Sequence, residues 1–168
     1  MRNRRRGSTL LEFTLTGLPV MFLSLSVVEC GISMFEYNSM ANAVTVAARY
    51  ASTHGATCGS PNSCTIKVSD VANLIANTAW ILDTSKLNVV LTANGVATNC
   101  KPLNTCQTNA APSTGQFPPS GDNAVNMDIT ITATYKGTNP MPMFWPPNAD
   151  VDDSGYTLGA QSRQRIQF

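Results

Sequence analysis

The stretch from Ser8 to Phe35, STLLEFTLTGLPVMFLSLSVVECGISMF, contains no basic residue, and two glutamates are its only charges. As a helix rising 1.5 Å per residue, it is long enough to cross about 30 Å of hydrocarbon. In lipid every backbone polar group needs a partner within the protein, so a lone span of this kind has to be helical. Gly17 and Pro19 weaken or kink such a helix, which is tolerated where Ser and Thr side chains satisfy the freed carbonyls. Four of the eleven basic residues, Arg2, Arg4, Arg5 and Arg6, precede the stretch, and none follows before Arg49. The positive-inside rule keeps that cluster cytoplasmic. The expectation is a single-pass inner-membrane protein whose C-terminal part lies on the outer, periplasmic side.

A cleavable secretory signal fits less well, because the apolar run exceeds the usual length. Ala41-Asn42-Ala43 has the small-x-small form but lies past Glu36 and Asn38, and Glu29 occupies a position that a lipoprotein cut before Cys30 needs small. The 43% hydrophobic content of 168 residues is enough to bury a core. With a net charge of +1 and only 12% charged residues, nucleic acid is not the expected partner.

Glu12 stands out. A carboxylate deep in a span costs about 2.5–3.5 kcal/mol on insertion scales, and less near the interface. A glutamate snorkelling to the headgroups would explain it. So would processing: if a peptidase cuts after Gly7, Ser8 becomes a free amino terminus about one turn from Glu12. An amine from an adjacent subunit would then neutralise the acid and set the register between helices. Gly7, without a Cβ, lets a peptidase approach the backbone. The order of basic leader, Gly7, Ser8, Glu12, Phe13 and an apolar helix resembles the class III leader of type IV pilins and pseudopilins. Glu12-Phe13, Pro19, Glu29 with Gly31, the Asn42-Ala43 region and Ala48-Arg49-Tyr50 resemble, more narrowly, the TadE-like family of minor pseudopilins of the tight-adherence (Tad/Flp) pilus. Cys30 departs from the aromatic more usual there, and Val44 to Ala47 lacks a frequent arginine. The resemblance implies a prepilin peptidase, other Tad/Flp pilins and pseudopilins, an inner-membrane assembly platform and the lipid bilayer as partners. It also implies association with the pilus, and an assembly role for Glu12, Phe13 and Glu29.

Beyond the span the helix is expected to continue through residues 36–55. Tyr37, Met40, Val44, Ala47 or Ala48, and Ala51 form a small-residue stripe that packs on the protein's own sheet in preference to a sibling helix. Thr53, His54 and Gly55 would end it. Residues 56–168 read as a small α+β domain. Ser69 or Asp70 caps a short helix with Val71, Leu74, Ile75 and Ile81 inside and Trp80 close by. Leu87 to Thr92 alternates as a strand, as does Val125 to Tyr135, and Tyr156 to Phe168 supplies another. The fold class is therefore α+β, pilin-like: a long transmembrane helix continuing into a domain with a short helix and a three- or four-stranded antiparallel sheet.

Cys58, Cys64, Cys100 and Cys106 suit disulfides in an oxidising compartment. Equal spacings suggest local pairing, although four cysteines allow three connectivities. Their separation is wider than usual for zinc, and Cys30 is read as a packing residue. Ala93 to Asp122 reads as a long polar loop, mobile or in contact with a partner. Thr138 to Asn148 forms an apolar hairpin tip around Met141, Met143, Phe144 and Trp145, able to meet a neighbour or headgroups or to fold back. Asp150, Asp152, Ser154 and Gly155 imitate half a calcium loop, but Gln161 replaces the closing acid, so a solvated turn is expected. His54 is the only histidine, with no acidic partner at a motif spacing, and no phosphate cradle or nucleophile elbow exists. The expectation is a structural component without cofactor or metal, not an enzyme. The competing reading is an uncleaved, signal-anchored periplasmic binding domain that does not polymerise.

Overall fold

The computed structural model describes residues 6–58, 64, 66–108, 114–138 and 155–167, with side chains described from Leu11 onward. It contains helices α1 (Arg6–Ser52) and α2 (Val68–Thr78), strands β1 (Leu87–Ala93), β2 (Val96–Cys100), β3 (Asp128–Thr138) and β4 (Gly155–Arg165), and a 3-10 turn at Leu103–Cys106. The chain divides into two compact units, residues 1–35 and residues 36–168.

The first unit is the N-terminal part of α1. Its large apolar side chains, among them Leu11, Phe13, Leu15, Leu23 and Val27, are exposed. Among the described residues, Leu11–Ser52 is one helix long and apolar enough to cross a membrane, as expected. Pro19 sits inside it, removing one backbone donor without ending the helix.

In the second unit the residues of α1 change character. Met40, Ala43, Val44, Ala47, Ala48 and Ala51 are buried in one cluster with α2 and sheet residues. Small side chains at three- and four-residue spacing let a helix approach its neighbour closely. The stripe is thus buried in the protein's own core, although Tyr37, expected to head it, is 45% exposed. α1 ends at Ser52, whose carbonyl accepts a hydrogen bond from the Gln167 amide at 3.0 Å.

The sheet is antiparallel throughout, in the order β2-β1-β3-β4. Leu87, Val89, Leu91 and Ala93 of β1 and Ile129, Ile131, Ala133 and Tyr135 of β3 are buried. They alternate with less buried Asn88, Val90, Thr92, Thr130, Thr132 and Thr134, the one-sided pattern of an antiparallel sheet with a wet face. β3 starts at Asp128, three residues later than its alternation suggested. Asn126 adopts a φ of 70°, outside the extended range, and Val125 is exposed. β4 keeps its alternation, with Tyr156, Leu158, Ala160, Ser162 and Gln164 half-buried and Ile166 buried beyond it; Phe168 lies outside the described residues.

Of the expected loop from Ala93 to Asp122, residues 93–100 are strand and turn instead, and Leu103–Cys106 is a 3-10 turn. β1 and β2 form a hairpin around Asn94-Gly95, whose φ values of 46° and 88° suit the tight turn that Asn-Gly favours. Further along, Val68 donates to Gly115 and Phe117 to Ile66, and Phe117 is fully buried. The helix-start expectation is corrected as well: Ser69 and Asp70 lie inside α2. The cap position is Lys67, whose amide donates to the Asp70 carboxylate at 2.9 Å. Trp80 and Ile81 fall past the helix and are exposed.

Gly137 of β3 pairs directly with Tyr156 of β4. A Cβ on Gly137 would collide with the Tyr156 ring, whereas one on Gly159, in the same strand pair, would meet nothing within 4 Å. Gly137→Ala is therefore expected to destabilise the detergent-solubilised protein by about 1–3 kcal/mol. Gly159→Ala should change it by less than about 1 kcal/mol, as chemical denaturation of the two variants will read.

Candidate functional site

The residues singled out for assembly lie on α1. Gly7 and Ser8 fall in its first turns but outside the residues whose side chains are described, and Met1 to Arg5 lie outside the described structure. Glu12 is exposed, with Phe13 beside it at 75% exposure. The Phe13 ring lies alongside Gly17, where an added Cβ would sit 3.8 Å from it. Glu12 and Phe13 thus share one exposed turn of the helix.

The hydroxyls of this helix follow a common rule. Thr14 donates to the Leu11 carbonyl at 3.0 Å, Thr16 to Glu12 at 2.8 Å, Ser24 to Val20 at 2.9 Å, Ser26 to Phe22 at 3.0 Å and Ser33 to Glu29 at 3.0 Å. Each is folded back on the helix's own backbone, which removes a polar group from an apolar surrounding. Glu29 differs. Its Oε1 is shielded from solvent and has no hydrogen-bond partner. Glu12 and Glu29 are separated by 17 residues, about 26 Å along an ideal helix, and form two distinct places rather than one site.

Within the second unit, Glu36 accepts a hydrogen bond from the Tyr156 hydroxyl. Glu36 is not among the residues that the sequence marks for assembly. Its signal is its place four residues before Met40, on the edge of the buried stripe. Tyr135 lies close by: burial first, and the Glu36 charge second, hold its phenol above the ordinary value. Glu36 therefore ties the start of β4 to α1.

Two disulfides, Cys58–Cys64 and Cys100–Cys106, close the domain's loops. Of the connectivities left open by the sequence, the structure has the local one. Cys30 is a free, exposed thiol. His54 follows the end of α1, its ring 4.4 Å from that of Tyr50 and its Nδ1 2.6 Å from the Tyr50 carbonyl. It lies in the helix-ending loop, as read from the sequence.

A shallow open hollow lies at the ends of β3 and β4, lined by Val125, Asp128, Arg163, Arg165 and Gln167. Asp128 holds Arg163 at 2.5 Å and Arg165 at 3.4 Å. The hydrogen bond from Arg163 keeps the Asp128 carboxyl below the usual carboxylate range. The hollow's charges are paired with one another, and no group of three or more His, Cys, Asp or Glu residues suited to a metal occurs among the described residues. Met141 to Pro147 and Asp150 to Ser154 lie outside the described residues.

What emerges is an α+β protein whose N-terminal helix carries an exposed, membrane-length apolar surface with two acids. Residues 7–49 match the model of the TadE-like protein family, the family that Glu12-Phe13, Glu29 and Ala48-Arg49-Tyr50 resemble. No curated protein and no solved structure matches the chain.

A lowered carboxyl pKa in the fold means the Asp128 pair stabilises above the carboxyl's ordinary value of 3.8. That contribution disappears as pH falls through the folded value. The stability difference between wild type and Asp128→Asn should therefore shrink below about pH 4, and also with added salt, in denaturation curves taken across pH.

Proposed function

We propose that the protein is a minor pseudopilin-like structural component of a Tad/Flp pilus machine, supporting pilus biogenesis and surface adhesion. The observation that carries this reading is Glu12, left exposed beside Phe13 on a helix that internalises its hydroxyls, inside the segment that matches the TadE-like model. In this reading a prepilin peptidase removes residues 1–7 at the cytoplasmic face. Ser8 then carries a free ammonium, and Glu12 becomes the fifth residue of the mature chain. Residues 8–35 wait in the inner membrane, with the C-terminal domain on the periplasmic side.

Assembly then follows from electrostatics. The Glu12 carboxylate is unfavourable in hydrocarbon and gains a counter-charge when a neighbouring subunit presents its new amino terminus. Any axial slip leaves an acid unpaired, so the pair sets the register between helices. The partners are sibling pilins and pseudopilins and the inner-membrane platform that extracts them. The work is done by packing, not by turnover.

The native N-terminus tests the reading. Mass spectrometry is expected to find a chain starting at Ser8, and Gly7→Leu should leave the leader attached. Glu12→Ala should be processed like wild type yet reduce pilus formation by at least about tenfold, the effect of roughly 1.4 kcal/mol. An intact Met1 in wild type would instead favour the uncleaved, signal-anchored binding domain.

A further inference from the structure

At one end of the second unit a turn carries its apolar side chains on the outside. The Leu82 amide donates to the Ala79 carbonyl at 2.9 Å. The first and last residues of this turn are buried, while Trp80, at 77% exposure, and Ile81 stand out at its tip. Asp83 follows, accepting hydrogen bonds from the Ser85 amide at 2.9 Å and the Ser85 hydroxyl at 2.6 Å. The Lys86 amide donates to the Asp83 carbonyl at 3.0 Å, and the Lys86 carbonyl accepts from the Lys136 amide at 3.3 Å. Both lysines are exposed.

The strands fix where this tip lies. Lys136 precedes Gly137, which pairs with Tyr156, and the Tyr156 hydroxyl donates to Glu36. Glu36 follows directly on the apolar segment 8–35. The turn and the two lysines therefore occupy the end of the domain at which the chain leaves that segment. Tyr37, next along, is exposed as well. Asp83 and Glu36, acids described at this end, accept hydrogen bonds from Ser85 and Tyr156. At the opposite ends of β3 and β4 the arginines are held by Asp128.

We propose that Trp80 and Ile81 form a foot that sits in the headgroup layer of the bilayer crossed by the chain's own N-terminal helix, with Lys86 and Lys136 against the lipid phosphates. The proposal rests on the reading of residues 8–35 as a membrane span: a chain that emerges from lipid at Glu36 brings this end of the domain to the membrane surface. Tryptophan suits that layer, since its ring is apolar and its indole N–H finds a hydrogen-bond partner among the headgroups. Each lysine near an anionic surface favours the contact roughly fivefold. The foot holds the domain to the bilayer at a second point beside the covalent one.

Trp80 is one of two tryptophans, the other being Trp145, so Trp145→Phe leaves its emission alone. The full-length Trp145→Phe protein is placed in vesicles of phosphatidylcholine and phosphatidylglycerol, with and without phosphatidylcholine brominated on the upper part of its acyl chains. The bromine is expected to quench Trp80 by at least about half, as for an indole at the interface. Wild type against Trp80→Phe, which keeps Trp145, gives the same contribution by difference. Lys86→Gln with Lys136→Gln should lower the quenching about twofold or more. Unquenched emission at the wavelength of a water-exposed indole overturns the proposal and leaves the tip to a protein partner. Quenching undiminished in the lysine variant overturns the contact with lipid phosphate. Alkaline extraction of the same vesicles separates the two levels of failure: release of the chain overturns the span and the foot together, while retention without quenching overturns the foot alone.

Discussion

A hydrocarbon surrounding would leave a peptide no solvent to bond with, and the exposed apolar part of α1 is compatible with that constraint. Its backbone closes on itself as a helix, and between Leu11 and Phe35 five Ser and Thr hydroxyls fold back onto carbonyls three or four residues earlier. A glutamate cannot do the same, because an ionised carboxylate accepts hydrogen bonds and the carbonyls within reach donate none. The two acids therefore carry oxygens that the helix's own carbonyls cannot satisfy. A helix lined only with Leu and Val would meet lipid tails and sibling helices on nearly equal terms.

The same helix takes up a second task in residues 36–52. There burial of apolar surface in the core supplies the driving force, at roughly 25 cal/mol per Å². Alanines 43, 47, 48 and 51 contribute little area each. What they contribute is proximity, admitting the helix to a core built from Val89, Leu91, Ile129 and Ile131. Glu36 and Tyr156 add a directional contact at the edge of that core. Gly137 makes room for the Tyr156 ring, so the hydrogen bond depends on a residue without a side chain.

Wherever periodicity was unbroken, the elements were legible. The long apolar run, the alternation in β1 and β3 and the three-and-four spacing of Met40, Val44 and Ala51 each report one face of one element, and burial follows them. The misreadings have local causes. Polar composition from Ala93 to Asp122 hid a hairpin whose Asn-Gly turn was a usable signal, and it hid Phe117, a lone aromatic that packs in the core. Val125 continued the alternation of β3 on paper, but the positive φ of Asn126 ends the extended backbone before it. Asp70 was a capping residue in kind, acting from inside the first turn on the Lys67 amide.

By itself the sequence determined which segment can live in lipid and which side of each strand is apolar. It also placed the acids in the span, because these depend on residue type and spacing along one chain. The tertiary structure alone decided the strand order β2-β1-β3-β4, the local pairing of the four cysteines, the meeting of Glu36 with Tyr156 and the seating of Phe117. These are contacts between residues far apart in the chain, or choices among pairings of equal local merit, and no periodicity records which distant surfaces close on each other.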